Sequence, residues 1–196
     1  MLKPTPDLPL TRARRTEFKT RAEGESPVIE GYFVVFNQPY IIDDYFEEVV
    51  DPHAFDGADL SDVRALVDHL PHLVLGRSTV NTLSFQIDET GLWASVSLNP
   101  ADADAMNLYA RTQRGDVDQA SFGFDETPDG AVYEELPSGR TRRRILHISK
   151  LWEISVCTFP AYEQTFVSAR SREAAELRAQ ALKVRKNNLK RRFKHA

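Results

Sequence analysis

Residues 120–124 alternate apolar and small side chains with a period of two. In an extended strand, Ala120, Phe122 and Phe124 fall on one face, and Ser121 and Gly123 fall on the other. The aromatic face is expected to be buried, which leaves a serine hydroxyl on the opposite face beside a residue without a side chain. Glycine inside a strand is typical of close approach by another backbone, and a substrate backbone is expected there. The pattern predicts a strand that presents a candidate nucleophile.

Several other segments have the composition of β-strands. Strands are predicted over 28–36, 45–50, 80–87, 92–98, 119–124, 131–136 and 142–158. A helix is predicted over 101–114, because acidic residues come early in it, arginines come late and Gly115 follows. Short helical turns are expected near Pro52 and Ser61. The chain is therefore expected to be α+β and mainly β, with no internal repeat.

The length of 196 residues and the 41% hydrophobic content fit one folded domain with appendages. Residues 1–25 contain three prolines and no periodic apolar face, which predicts a flexible arm, with folded structure from about Val28. The domain is expected to occupy residues 26–167. Residues 168–196 are rich in Ala, Leu, Arg, Lys and Glu, which predicts a helical or disordered tail.

The charge is distributed unevenly along the chain. The tail, 168–196, carries ten Lys or Arg and two Glu, a net charge of +8, whereas the other 167 residues carry 15 basic and 27 acidic side chains, a net charge of −12. The acidic body and the basic tail are therefore expected to attract partners of opposite charge. A partner surface is expected to order the tail.

The composition also argues against several classes of protein. No apolar run approaches the ~20 residues of a membrane helix, and the N-terminus lacks the apolar core of a signal peptide. The single cysteine, Cys157, excludes an internal disulfide framework and is interpreted as structural. No Cys/His cluster has zinc-ligand spacing, and no glycine-rich phosphate loop is present. We therefore expect no membrane segment, no metal and no cofactor.

A nucleophilic serine at neutral pH needs a base to accept its proton. The chain has five histidines, His53, His69, His72, His147 and His195. His69 ends a short apolar segment at a strand end beside a loop, where catalytic groups tend to lie. It is therefore the candidate base, and a histidine with a purely structural role is the alternative.

A base of this kind is usually oriented by a carboxylate. In the predicted strand 142–158, Glu153 lies on the polar face, opposite an apolar face formed by Trp152, Ile154 and Val156. His147 shares the face of Glu153 but lies six residues away, about 20 Å along a strand. One imidazole can contact only one of the two, so Glu153 and His147 are alternatives at this point. Asp68 is expected to point away from His69.

Seven ordered pieces of the sequence resemble the prohead (head maturation) proteases of tailed bacteriophages. They are spread over about residues 28–167, in the order of that family: Glu30-Gly31-Tyr32 with Phe36-Asn37, Glu48 to Phe55, Asp62 to His69, Val74 to Arg77, Arg114 to Val117, Ala120 to Phe124, and Leu151 to Val156 with Pro160-Ala161-Tyr162.

The resemblance implies a serine endopeptidase whose fold is akin to the herpesvirus assembly proteases, a β-barrel core flanked by helices. It assigns His69 as general base and Ser121 as nucleophile. Glu153 matches the family's Leu-Trp/Tyr-Glu-hydrophobic-Ser segment as third member, whereas the herpesvirus enzymes use a second histidine, for which His147 is the candidate.

Two parts of the site stay open at this point. The segment around His69 differs from the family's usual pattern, which makes His72 an alternative base. Backbone amides near Gly76-Arg77 or at Gly123 are candidates for the oxyanion hole.

The resemblance also implies substrates and a location. The major capsid protein and a scaffold segment are the expected substrates, together with the chain itself, inside the assembling prohead in the host cytoplasm. The basic tail is expected to dock on an acidic capsid or scaffold surface; nucleic-acid contact and a solvated tail are the alternatives. A homo-oligomer is left open.

Two rival functions are considered beside the protease. One is a non-catalytic phage head scaffold or assembly chaperone of the same fold, against which the presence of His69, Ser121 and Glu153 argues. The other is a hydrolase of small esters, which the absence of a Gly-x-Ser-x-Gly segment disfavours.

Overall fold

A computed structural model describes residues 10–23, 26–42 and 45–158, so the basic tail lies outside the described residues. These residues form thirteen strands, one α-helix and a short 3-10 turn. The elements are β1 (Leu10–Arg15), β2 (Lys19–Glu23), β3 (Ser26–Val35), β4 (Tyr40–Ile41), β5 (Phe46–Val50), β6 (Arg64–Val67), β7 (Leu70–Arg77), the 3-10 turn (Ser78–Val80), β8 (Leu83–Ile87), β9 (Gly91–Ser97), α1 (Ala103–Arg114), β10 (Gln119–Glu126), β11 (Ala131–Glu135), β12 (Thr141–Ile145) and β13 (Ile148–Cys157). The expectation of a mainly β chain is confirmed.

The strands form three sheets. The first has the order β1-β10-β13-β6-β7, the second β11-β12-β5-β4 and the third β2-β3-β9-β8. Each sheet ends in edge strands, so within the described ranges no closed barrel forms and one α-helix is present. The expected β-barrel core flanked by helices is corrected to three open sheets with a single helix.

The first sheet brings together three segments that are distant in the sequence. Strand β13 pairs antiparallel with β10 on one side and parallel with β6 on the other. In the antiparallel ladder, Ser121 lies opposite Ser155, and Gly123 lies opposite Glu153. Directly opposed residues point to the same face of a sheet, so these four residues share one face.

The other face of the first sheet lies on the main hydrophobic core. Ala120, Phe122 and Phe124 of β10 are fully buried there with Ile154 and Val156 of β13. The rings of Phe122 and Phe124 stack with centroids 5.0 Å apart. Burial of each such ring contributes roughly 1.5–3 kcal/mol, which fixes the face on which Ser121 is presented. The alternation predicted for residues 120–124 is confirmed.

Helix α1 begins and ends where its sequence predicts, to within two residues. The side chain of Asp102 accepts hydrogen bonds from the backbone N–H groups of Asp104 and Ala105 and so caps the first turn. Gly115 has a φ of 78°, and its N–H bonds to carbonyls of the last turn. Within the described ranges, no helix is long and apolar enough to span a membrane.

Regular structure begins earlier than the composition indicates. Residues 10–15 and 19–23 form strands β1 and β2, so the expectation that folded structure begins near Val28 is wrong. Strand β1 pairs antiparallel with β10 over its whole length, with Ala13 opposite Ser121. The mixed charge of this segment conceals its strand character because much of its ordering comes from pairing with a strand about 110 residues later.

The long strand predicted over 142–158 is two strands in different sheets. The chain turns at Leu146 and His147, whose N–H groups both donate to the carbonyl of Gly130, at 2.6 and 3.1 Å. This corner lies in a continuous run of strand-forming residues without proline or glycine, so the local sequence does not reveal it.

A bulge in β13 changes the alternation that the sequence predicts. Glu153 lies opposite Gly123, but Leu151 lies opposite Phe124, so Trp152 is an extra residue without a register partner. Leu151 is consequently fully buried, and Trp152 is 37% exposed. The assignment of Trp152 to the buried face with Ile154 and Val156 is therefore wrong.

The short helical turns expected near Pro52 and Ser61 are not helices. Residues 52–57 form consecutive turns, for example through the N–H of Ala54 and the carbonyl of Asp51 at 3.0 Å. A 3-10 turn occurs instead at Ser78–Val80, and β8 begins only at Leu83.

A buried arginine joins the first sheet to the second. Arg143 of β12 is 1% exposed, and its guanidinium pairs with Glu48 of β5 and with Glu126 of β10. Burial raises the pKa of the neighbouring Tyr133. Since Glu126 lies on the strand that carries Ser121, this ion-pair network helps to fix that strand relative to the second sheet.

Replacing Arg143 by Met removes the guanidinium that neutralises the buried Glu48. The free energy of unfolding is expected to fall by about 3–5 kcal/mol, as measured by chemical denaturation. The matched control is Arg144→Met at the next position of β12, where the side chain is partly exposed and pairs at 3.5 Å with Asp51. This control is expected to lose less than about 1 kcal/mol, and equal losses in the two variants would contradict the argument.

Candidate active site

His69 lies in the tight turn between β6 and β7. Asp68 and His69 both have positive φ, 47° and 60°, which is typical of the two-residue type I′ hairpin turn. Aspartate and histidine tolerate this region better than most residues. The expected continuation of β6 through His69 is therefore corrected, since β6 ends at Val67 and His69 is carried by the turn.

Contacts with β13 hold the turn in this conformation. The N–H of Asp68 donates to the carbonyl of Val156 at 3.1 Å, and the carboxylate of Asp68 accepts from the N–H and hydroxyl of Thr158. The N–H of His69 donates to Ser155 Oγ at 3.2 Å. These bonds offset the cost of left-handed backbone, about 1–3 kcal/mol per residue. The carboxylate of Asp68 thus positions the turn and leaves the imidazole to another partner.

That partner is Glu153. His69 Nδ1 lies 2.6 Å from Glu153 Oε1, and the two side chains are only 14% and 10% exposed. An ionised carboxylate can only accept hydrogen bonds, so Nδ1 carries the proton and Nε2 is the acceptor in the neutral ring. The glutamate therefore selects the tautomer that a general base requires.

Ser155 completes the surroundings of the carboxylate. Its hydroxyl donates to Glu153 Oε2 at 2.6 Å while accepting from the N–H of His69, and the residue is fully buried. Ser155 was not singled out from the sequence. The available signal was its position two residues after Glu153, on the same strand face.

Ser121 lies one strand away from this network. It is opposite Ser155 in the β10–β13 ladder, and Cβ atoms so placed are about 4.5–5.5 Å apart. Ser121 has no exposed surface. Within the described ranges, neither Ser121 Oγ nor His69 Nε2 has a hydrogen-bond partner, although both atoms are buried. Such unsatisfied buried groups are rare in folded proteins, and here one is a donor and the other an acceptor.

Gly123 makes room for the carboxylate. A Cβ atom at this position would lie 2.6 Å from Glu153 Oε1 and 3.2 Å from its Cγ. The glycine was expected to admit a substrate backbone; in the structure the side chain of Glu153 occupies that space. The absence of a side chain at Gly123 is thus what allows Glu153 to reach His69.

Three other histidines of the described residues lie away from Ser121 and Glu153, and His195 lies outside the described residues. His147 is exposed in the connection between β12 and β13, and His72 is exposed on β7. His53 is exposed and pairs with Asp56 at 3.0 Å. The structure brings Glu153, and not His147, to the imidazole of His69.

An ion pair supports the open end of the hairpin that carries His69. Asp62 accepts from Arg77 Nε at 2.7 Å and Nη2 at 2.8 Å, and from Arg64 at 3.2 Å. The hydrogen bonds from Arg77 are the main cause that lowers the pKa of Asp62 to about 2. The stabilisation is therefore fully present above about pH 4. It is lost as the pH falls through 2.

The amides considered for an oxyanion hole are only partly available. The N–H of Arg77 donates to Thr82 Oγ1 at 2.9 Å, which removes it as a free donor. Gly123 lies in the ladder between β1 and β13. Its role as a donor stays a prediction.

In the part of the chain that the structure describes, no group of three or more His, Cys, Asp or Glu side chains could hold a metal ion.

The sequence of the chain matches known proteins. A family profile described as Caudovirus prohead serine protease matches residues 14–180. The chain is 34% identical over 154 residues to the prohead protease of Enterobacteria phage HK97, which covers 79% of this chain and 64% of that protein. The chain thus matches less than two thirds of the length of this relative. No solved structure matches the chain.

Replacing Ser155 by Ala removes one hydrogen bond from the carboxylate and one from the turn of His69. We expect kcat per active site to fall about 10- to 100-fold with KM little changed, because a lost bond to a buried charge is worth roughly 1.5–3 kcal/mol. The matched control is Ser149→Ala, an exposed serine on the same strand. Normalising rates to the active sites that react with a serine-directed probe separates this effect from unfolding, and an unchanged kcat would contradict the role of Ser155.

Proposed function

Since the chain belongs to the Caudovirus prohead serine protease family, we propose that it is a serine endopeptidase of phage head maturation. Ser121 is the nucleophile, His69 the general base and Glu153 the carboxylate that orients it. The observation that carries this proposal is the 2.6 Å contact between His69 Nδ1 and Glu153 Oε1, beside a buried serine without a partner.

The first half of the reaction forms an acyl-enzyme. Ser121 Oγ attacks the peptide carbonyl carbon while its proton moves to His69 Nε2. Glu153 stabilises the imidazolium that forms, without taking the proton itself. The tetrahedral intermediate collapses when the C–N bond breaks, and the proton on Nε2 passes to the departing amine. The acyl group is left as an ester on Ser121.

The second half hydrolyses that ester. A water molecule gives a proton to His69 Nε2 as its oxygen attacks the ester carbon, and the proton then returns to Ser121 Oγ as the new carboxylic acid leaves. The sequence of steps regenerates the starting state of Ser121, His69 and Glu153.

Access to the nucleophile requires movement. Because Ser121 has no exposed surface, a peptide carbonyl reaches Oγ only when neighbouring residues shift from the arrangement described. Movement of loops or domains around an active site is common in enzymes, where it admits the substrate and then excludes water.

The family's description supports the choice of substrate and location. We infer that the chain cleaves the major capsid protein and its scaffold segment, as well as itself, inside the prohead in the host cytoplasm. The basic tail, 168–196, would dock on an acidic surface of those partners. The kinship with herpesvirus assembly proteases stays a prediction.

Replacing Ser121 by Ala tests the proposal directly. The variant and the wild type are each co-expressed with the cognate capsid protein, and the termini of all products are mapped by mass spectrometry. We expect no cleavage by Ser121→Ala, because loss of the nucleophile in a triad lowers kcat by about 10⁶-fold. Glu153→Gln is expected to lose about 10⁴-fold.

The control is Ser84→Ala, which changes an exposed serine on β8 and is expected to cleave as the wild type does. Wild-type processing by Ser121→Ala would reject the assignment of the nucleophile. Absence of cleavage by the wild type itself would favour the rival function of a non-catalytic head scaffold or assembly chaperone.

A further inference from the structure

Trp152 is exposed next to the proposed catalytic residues. It is the extra residue of the bulge in β13, directly before Glu153, and 37% of its surface is accessible. A bulge next to an active site commonly redirects a side chain, and here it moves an indole out of the core. Tryptophan is enriched among the residues that contribute most to binding at protein surfaces.

The indole lies on the same face of the sheet as Ser121. Its Nε1 donates to Asp125 Oδ2 at 2.8 Å. Ser121, Gly123 and Asp125 alternate along β10, so their side-chain positions share one face, opposite the buried Phe122 and Phe124. The hydrogen bond therefore places Trp152 on the surface that also carries the proposed nucleophile.

The position of the ring is fixed before any ligand arrives. Lys150 Nζ lies 4.2 Å from the centroid of the indole and 2.9 Å from Asp59 Oδ2. The backbone of Asp59 is bonded to β13 through Ser149 and Leu151, at 2.9 and 3.1 Å. A side chain held in this way loses little conformational entropy on binding, which favours its use as an anchor.

The chemistry of this surface selects an apolar ligand. Lys150 and Asp59 neutralise each other, and Asp125 is bonded to the indole. What the surface offers is chiefly the uncovered part of the ring, which matches an aliphatic or aromatic side chain.

Resting on the function proposed above, we propose that Trp152 forms a substrate subsite for a bulky apolar side chain. Ser121 and Asp125 are four residues apart on β10, about 13 Å. An extended substrate covers that distance in about four residues. The subsite therefore receives the residue about four positions from the scissile bond, on the side of the substrate that passes over Asp125.

The test compares the cleavage preferences of the full-length wild type and of Trp152→Ala. Each is incubated with a peptide mixture obtained from a bacterial extract, and the cleaved bonds are identified by mass spectrometry. The rate at which an alkyl fluorophosphonate labels Ser121 is measured in parallel, because it reports on the proposed catalytic residues without occupying a distant subsite.

The wild type is expected to show enrichment of Leu, Ile, Met or Phe at one position about four residues from the cleaved bond. Trp152→Ala should lose this enrichment and no other, and it should cleave peptides that carry such a residue about tenfold less efficiently. The rate at which the fluorophosphonate labels Ser121 in this variant should stay within twofold of the wild-type rate. Trp152→Phe, which retains an apolar ring, should keep most of the preference. Val132→Ala removes an exposed apolar side chain from β11 of the second sheet and should change nothing.

Three results would overturn the subsite. An unchanged preference in Trp152→Ala with normal labelling rejects it while the peptidase assignment stands. A parallel fall in cleavage and in labelling shows that Trp152 acts through Glu153 and His69. Absence of labelling in the wild type rejects the proposed function together with the subsite. If thermal unfolding shows that Trp152→Ala does not fold, Trp152→Gln is used with the same expected loss.

Discussion

The antiparallel register between β10 and β13 determines where the proposed catalytic groups lie. It places Ser121 opposite Ser155 and Gly123 opposite Glu153, so that the nucleophile and the carboxylate share one face. A shift by one residue would turn Ser121 into the core and Phe122 out of it, at a cost of several kcal/mol in lost burial. The packing of the core therefore fixes the geometry of the site.

On the polar face of the same sheet, burial of the Glu153 carboxylate costs free energy. A buried carboxylate is tolerated only when donors surround it, and Glu153 has one on each oxygen, from His69 and from Ser155. The unsatisfied atoms of this group are Ser121 Oγ and His69 Nε2. They are the atoms between which the proposed mechanism moves a proton. The stability lost by leaving them without partners is consistent with a functional use of that pair.

Local patterns were sufficient for the parts of the fold that depend on local chemistry. The period of two over residues 120–124 predicts a strand, and the early acids, late arginines and Gly115 around residues 101–114 predict a helix; the structure contains both. Local patterns did not reveal the strand at residues 10–15 or the corner at His147, because each depends on a partner far along the chain.

In the candidate site, too, the sequence predicts some features and not those that depend on distant parts of the chain. His69 and Glu153 were selected by residue type and resemblance, and the structure brings them together across 84 positions of sequence. The turn that carries His69, the hydroxyl of Ser155 and the bulge at Trp152 were not foreseen. Turn type and bulges depend on how strands pair, which the local sequence does not reveal. The two hydrogen bonds of Ser155 depend on the fold in the same way, since no sequence pattern distinguishes this serine from others.

The central claim is that Ser121 and His69 act together, with Glu153 holding the imidazole. The most direct test is the crystal structure of the chain after reaction with an alkyl fluorophosphonate. We expect phosphorus bonded to Ser121 Oγ, His69 Nε2 within hydrogen-bond reach of that group, and Nδ1 still bonded to Glu153. An unmodified Ser121, an adduct on another residue, or an imidazole turned away from the adduct would contradict it.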